Sequence, residues 1–190
     1  EKIMALMGEA QKFYASYGIT TVQDGMVGKP LFQLLKTAAT MGILKLDIVG
    51  YVDIMTASDL PEEEPTYDGK YWNHLKLGGY KIFLDGSPQG KTAWMLKPYE
   101  GEKDYRGYPI HSDEELREYI ALALDKEEQL LAHCNGDAAA EQYISQFEKE
   151  LEERKNKDIY RAVMVHAQLV TKEQLGRMKV LGMIPSFFIA

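Results

Sequence analysis

The stretch from residue 129 to residue 166 reads as strand, helix, strand. It opens on Gln129-Leu-Leu-Ala-His133, a short aliphatic run, and turns at Asn135-Gly136-Asp137. It then places Ala140, Tyr143, Ile144, Phe147 and Leu151 at helical spacing as far as Glu153, and returns to an aliphatic run in Arg161-Ala-Val-Met-Val-His166. Short apolar runs bounded by turn residues suit strands buried on both faces of a parallel sheet; an apolar stripe repeating every three or four residues requires a helix. Two such strands joined by one helix form a parallel pair through a right-handed crossover. Each of the two runs closes on a histidine.

Working outward, the same alternation continues. Downstream, Thr171-Lys-Glu-Gln174 is a capping box that starts a helix ending at Gly182, and Met183–Ile189 is a further strand. Upstream, Ser112-Asp-Glu-Glu115 is a second capping box, opening a helix with Leu116, Tyr119, Ile120, Ala123 and Leu124 on one face. Before it lie a loop from Gly86 to His111, rich in Gly, Pro and Tyr, and the strand Tyr80-Lys-Ile-Phe-Leu-Asp85. Residues 55–79 read as a long polar excursion, with Pro61-Glu-Glu-Glu-Pro65 a loop. A strand over Ile43–Tyr51, a helix from Pro30 to Met41 stopped by Gly42, and a strand over Gly18–Gly25 precede that. The chain opens with a helix from Glu1 to Tyr17 whose stripe is Ile3, Leu6, Met7, Ala10, Phe13, Tyr14 and Tyr17. Six strands alternating with five helices predict a parallel α/β fold, and a doubly wound sheet and a (β/α) barrel both fit. No Gly-x-Gly-x-x-Gly follows a strand and no phosphate-binding Gly-x-x-x-x-Gly-Lys-[Ser/Thr] occurs, which removes the usual signs of nucleotide binding.

The 190 residues are 45% hydrophobic and 27% charged, the balance of one globular domain. Lys and Arg number 22 against 29 Asp and Glu, for a net charge of −7. With no basic cluster, such a chain repels nucleic acid. No apolar run approaches the roughly 20 residues of a membrane span. The single Cys134 points to a reducing compartment, hence the cytoplasm. The opening Glu-Lys-Ile-Met-Ala is not a secretory signal and lacks an initiator Met, so the expectation is a piece cut from something longer.

Chemistry gathers where strands of a parallel α/β fold end. His133 and His166 both stand there. One such histidine is ordinarily a hydrogen-bonded structural residue; two at equivalent ends of successive strands suit metal ligation. Lys81 lies inside an apolar strand, where an unpaired ammonium is costly. Either it pairs with an acid such as Asp85, or it faces a metal as a carbamate, which removes the positive charge. Trp94, Tyr99 and Tyr105 in the following loop either line an apolar substrate pocket or pack the loop down. Asp137 reads as a helix cap, Cys134 as core turned away from His133, and the acidic runs Glu148–Glu153 and Glu62–Glu64 as solvated.

Four segments in order resemble the amidohydrolase superfamily, in the branch that includes N-substituted formamide deformylase-like and YtcJ-like proteins. They are Gly18-Ile-Thr-Thr-Val-Gln-Asp24; Tyr80-Lys-Ile-Phe-Leu-Asp-Gly-Ser87 with Gly90-Lys-Thr-Ala93 and Pro98-Tyr99; Ala132-His-Cys-Asn-Gly-Asp137; and Val165-His-Ala-Gln168. The resemblance implies a (β/α)8 barrel of the TIM type binding one or two divalent metals, commonly zinc. It implies hydrolysis of an amide, formamide or carbamate C–N bond in a small molecule by metal-activated water. By the same resemblance His133 and His166 are metal ligands and Lys81 is the carboxylated bridging lysine, with Asp85 a competitor for that role. Trp94 and Tyr99 stand as candidate substrate-binding residues.

The family's first-strand His-x-His and eighth-strand Asp are absent; His74 and His111 stand alone in loops. The chain therefore resembles a central fragment, residues 1–190, with about six barrel strands (second to seventh). Two expectations follow: the fragment alone is inactive, and its open sheet edges make it associate into homo-oligomers. A non-catalytic α/β scaffold without a metal centre is the alternative, and a metal-dependent isomerase would need more strand-end carboxylates than Asp24 and Asp85.

Overall fold

A computed structural model describes residues 2–155 and 160–189, so Glu1, the expected start of the first helix, lies outside the described residues. The chain forms two compact units, Glu1–Lys81 and Ile82–Ala190.

The first unit holds α1 (Lys2–Ser16), β1 (Thr21–Val27), α2 (Lys29–Thr40), β2 (Asp47–Asp53), the one-turn helices α3 (Ile54–Ala57) and α4 (Leu60–Glu63), and most of β3 (Leu75–Phe83). β1 pairs in parallel with β2, and β2 with β3. α2 starts where Gly28 caps it and Pro30 occupies its first turn, a place where the missing proline N–H costs nothing. It buries Phe32, Leu35, Ala38 and Ala39 on one face. The middle of β2 is buried throughout, as a strand covered on both faces must be. Gly78 on β3 has no room for a Cβ, which would strike the Val49 side chain on β2.

Two expectations for this unit are corrected, and the first helix packs in a way that its stripe alone does not suggest. The polar excursion over 55–79 contains α3, α4 and the first half of β3. Pro61 sits in the first turn of α4, so the stretch read as a loop begins as a helical turn. The apolar stripe of α1 is not a buried face: Leu6 and Phe13 are about 60% exposed, at 60% and 63%, and Tyr17 at 72%. The helix is held by Gln11, its one buried side chain, whose Oε1 accepts the backbone N–H of Lys45 (2.6 Å) and Leu46 (3.2 Å).

The second unit holds the end of β3, then α5 (Asp113–Asp125), β4 (Leu130–Cys134), α6 (Asp137–Arg154), β5 (Val163–His166), α7 (Lys172–Val180) and β6 (Ile184–Phe187). β4 pairs in parallel with β5, and β5 with β6. Both anticipated capping boxes form, at Ser112/Glu115 and Thr171/Gln174. The acidic end of α6 is not simply solvated. Glu150 is buried between Arg117 and Arg154, and Glu148 pairs with Arg177 of α7. Burial raises the Glu150 pKa, but its arginine hydrogen bonds outweigh this and hold it below the ordinary value.

The strands follow chain order: β1-β2-β3 in the first unit, and in the second the end of β3, then β4, β5 and β6, with Leu84 N–H just past β3 donating to His133 O of β4 at 3.0 Å. A doubly wound sheet reverses its order at a switch point, whereas a barrel adds each strand beside the last. The chain is therefore a partial parallel (β/α) barrel of the TIM type with six strands. No helix among the described residues is long and apolar enough to cross a membrane.

Candidate active site

β4 and β5 deliver the two strand-end histidines of the second unit. Their register pairs His133 with Val165 and Cys134 with His166. In a regular pleat, register partners share a face, so His166 would lie on the side of Cys134 and away from His133. The backbone breaks that alternation: His166 has φ +74° and Ala167 φ +44°, both left-handed without being glycine. Such residues cost of order 1–3 kcal/mol each and persist where the surroundings enforce them. The result is that the rings of His133 and His166 meet with centroids 4.7 Å apart and planes at 81°. Phe83 backs the His133 ring at 4.7 Å, and Phe188 stands 6.1 Å from His166. Cys134 is buried as expected, with burial pushing its thiol far up, so it offers no thiolate.

Asp85 lies directly behind this pair. Its side chain is buried, and its two oxygens accept three backbone N–H groups: Asn135 at 2.9 Å on Oδ1, and Gly136 at 2.7 Å and Trp94 at 3.0 Å on Oδ2. Burial pushes its pKa up, and the three amide bonds pull against that. The next residue supplies a carbonyl: Gly86 O lies 3.1 Å from His133 Nε2 and accepts Asn135 Nδ2 at 2.8 Å. Asp85 Oδ1 is itself 3.8 Å from His133 Nε2.

A pocket of about 180 Å³ opens over the two rings. Ser87, Gln89, Asn135, Gln168 and Phe188 complete its wall. Asn135 and Gln168 carry a signal in the sequence: each is a carboxamide two residues after a strand-end histidine, His133-Cys-Asn135 and His166-Ala-Gln168. Gln89 and Phe188 have none, because only the turns after β3 and β6 bring them in.

Lys81 sits on β3 in the first unit, where its Cα pairs in register with Asp53. It is 5% exposed, and burial pulls its pKa down to about 8, so a neutral amine is within reach near neutral pH. Trp94 is not part of the pocket wall. Its carbonyl accepts Ala138 N–H at 3.2 Å, and its ring lines a separate cleft of about 350 Å³ with Leu96, Asp113 and Gln142. Tyr99 donates to Ala93 O at 2.7 Å and stacks on Tyr105, packing the loop onto itself. Asp137 occupies the first turn of α6 after the Gly136 cap, where its Oδ1 accepts Leu96 N–H at 2.8 Å. His74 pairs with Asp47, and His111 is buried beside Tyr119.

Among the described residues no three His, Cys, Asp or Glu side chains gather as an ion site. Two converging imidazoles held by strained backbone fit a divalent ion as part of its ligand set, since neutral imidazole is a common zinc ligand. The neutral amide and hydroxyl groups around them can hydrogen-bond a carbonyl or an amide N–H.

Residues 1–190 match a family model described as amidohydrolase family. Over 104 residues, 55% of this chain, the sequence is 31% identical to YtcJ of Bacillus subtilis (strain 168), a protein named as an amidohydrolase, and the match occupies 19% of that protein. Two solved structures superpose well. An uncharacterized metal-dependent hydrolase from Pyrococcus horikoshii OT3 matches with TM-score 0.78 at 26% identity, over 94% of this chain and 35% of that one. One from Pyrococcus furiosus matches with TM-score 0.76 at 27% identity, over 93% and 36%. The chain thus spans about a third of the length of these solved relatives.

Proposed function

The chain belongs to the amidohydrolase family, and on that premise we propose that the protein is a metal-dependent hydrolase of C–N bonds in small molecules: amides, formamides or carbamates. The observation that carries this reading is the pair of imidazoles at the ends of β4 and β5, brought together against the pleat by left-handed backbone at His166. His133 and His166 are the groups that would hold the ion, with zinc favoured by ligand type. When bound, a divalent ion polarises a carbonyl and lowers the pKa of water to near neutrality. Around it, Asn135, Gln168 and Ser87 hydrogen-bond the scissile group, and Phe188 covers an apolar part. These wall residues are better placed to touch substrate than Trp94 and Tyr99. For Lys81 the family motif and its own burial support a lysine able to carry a carbamate.

Residues 1–190 contribute two imidazoles of a larger ligand set, so on their own they should not turn over substrate. That same shortfall favours one rival: a scaffold or interaction domain that keeps the barrel without the metal. The test uses the intact protein. Metal content is measured by mass spectrometry, and hydrolysis of a panel of N-acyl amines, formamides and carbamates is followed before and after chelation. The expected result is bound divalent metal and chelator-sensitive hydrolysis, with His133→Asn and His166→Asn each losing more than the roughly 100-fold that removing an outer partner costs. A protein that takes up no metal and cleaves nothing is the scaffold.

A further inference from the structure

We infer that Asp85 is the positioning residue of this site: its buried carboxylate clasps the loop after β3 to the turn between β4 and α6, and thereby sets where the Gly86 carbonyl meets the His133 ring. The inference rests on the reading of His133 as an active-site group.

The clasp reaches His133 from two sides. From the β4 side, Asp85 binds the N–H groups of Asn135 and Gly136, the second and third residues beyond the histidine. From the β3 side, Leu84 N–H donates to His133 O at 3.0 Å, and Gly86 places its carbonyl 3.1 Å from His133 Nε2. Asp85 lies between Leu84 and Gly86, so its anchorage fixes both contacts. The third donor, Trp94 N–H, ties down the loop that begins at Gly86. Gly136 leaves space for that closeness: a Cβ there would run into the Trp94 carbonyl. With each oxygen bound to at least one backbone amide, Asp85 is held in place and acts on His133 by fixing the backbone on both sides of it.

The carboxylate alone can accept all three bonds. Asp85→Asn turns an amide NH2 toward backbone N–H groups, loses one or two of the three bonds, and keeps the volume. In the intact protein, Asp85→Asn is compared with wild type by metal-free crystallography, which reports the His133 ring, and by calorimetric titration with zinc chloride. We expect the ring to leave the Gly86 carbonyl and the zinc Kd to rise about 10- to 100-fold, the cost of losing an outer-shell partner. A folded variant with the ring in place and zinc affinity within about threefold of wild type overturns the inference, because the effect falls below that range. Should wild type bind no zinc, the proposed function fails, and the ring position still decides this inference. Should Asp85→Asn not fold, hydrogen exchange on wild type decides: Trp94, Asn135 and Gly136 amides protected as one set support the clasp, and a Trp94 amide exchanging with its loop overturns it.

Discussion

Two aspartates, one closing a strand and one just beyond a strand, are used in opposite ways. Asp53 closes β2 in the first unit. Its Oδ1 accepts Met55 N–H at 3.0 Å, and its Oδ2 takes the Thr56 hydroxyl, so both of these carboxylate hydrogen bonds stay within three residues. Asp85 follows β3 in the second unit and binds amides nine, fifty and fifty-one residues away. The first is a helix cap near the surface; the second is a buried tie among a strand, a loop and a turn. One residue type at one kind of place thus makes either a local cap or a non-local anchor. What decides is whether solvent or the neighbouring strand's turn lies beyond it.

The comparison breaks most easily at Asp85. Asp85→Ala strands two buried N–H groups and one part-buried one at roughly 1–3 kcal/mol each, so urea unfolding should show a loss of about 3–9 kcal/mol. A loss below about 1 kcal/mol would mean that water replaces the carboxylate and that the two aspartates are equivalent. Lys81 tests the cost of an ion buried in the first unit. With burial holding its pKa near 8, the folded chain loses stability as pH falls from about 10 to 8, and Lys81→Met should flatten that slope while abolishing any hydrolysis that needs the amine. An unchanged slope would sink that reading. Asp53→Ala should cost only about 1 kcal/mol, as for other helix caps, in the same unfolding experiment.

His111 sharpens the picture through pH. Burial is the main cause holding its pKa below the ordinary value near 6.5, against smaller opposing effects from Glu115 and the Phe83 backbone. As pH falls through 6.5 the unfolded chain gains a proton that the folded chain declines. Stability should therefore drop over that window and continue to drop until the folded pKa is reached. His111→Phe should flatten the slope between pH 7 and 5; an unchanged slope would assign it to another group. The smallest effect belongs to α1. Leu6→Ser and Phe13→Ser should move the unfolding midpoint within about 0.5 kcal/mol of wild type, because both side chains are already mostly in water.

The elements legible in advance are those decided by local chemistry. Both capping boxes, the start of α2 at Gly28-Lys29-Pro30 and the six strands are written in short-range patterns, and the strand-end positions of His133 and His166 came with them. Elements were missed where a local signal was overruled. Pro61 and the acids after it suggest a loop, yet proline is at home in the first turn of a helix. The α1 stripe has the right period but meets no partner face among the described residues. Glu150 has the composition of a solvated acid and is buried by two arginines from separate helical positions.

The sequence by itself determined the alternation of strand and helix, hence a parallel α/β fold, and put two histidines at successive strand ends. Its ordered motifs also pointed to the amidohydrolase family. Tertiary structure alone decided that the strands follow chain order without a switch point, and that His166 leaves the pleat to meet His133. It also decided that Asp85 serves backbone amides and that Gln89 and Phe188 reach the pocket. The division has one physical cause. Periodicity, caps and turns arise from interactions a few residues long, which any window of sequence contains. Strand order, ring contacts and a carboxylate shared by three distant amides exist only once segments far apart in the chain are packed together.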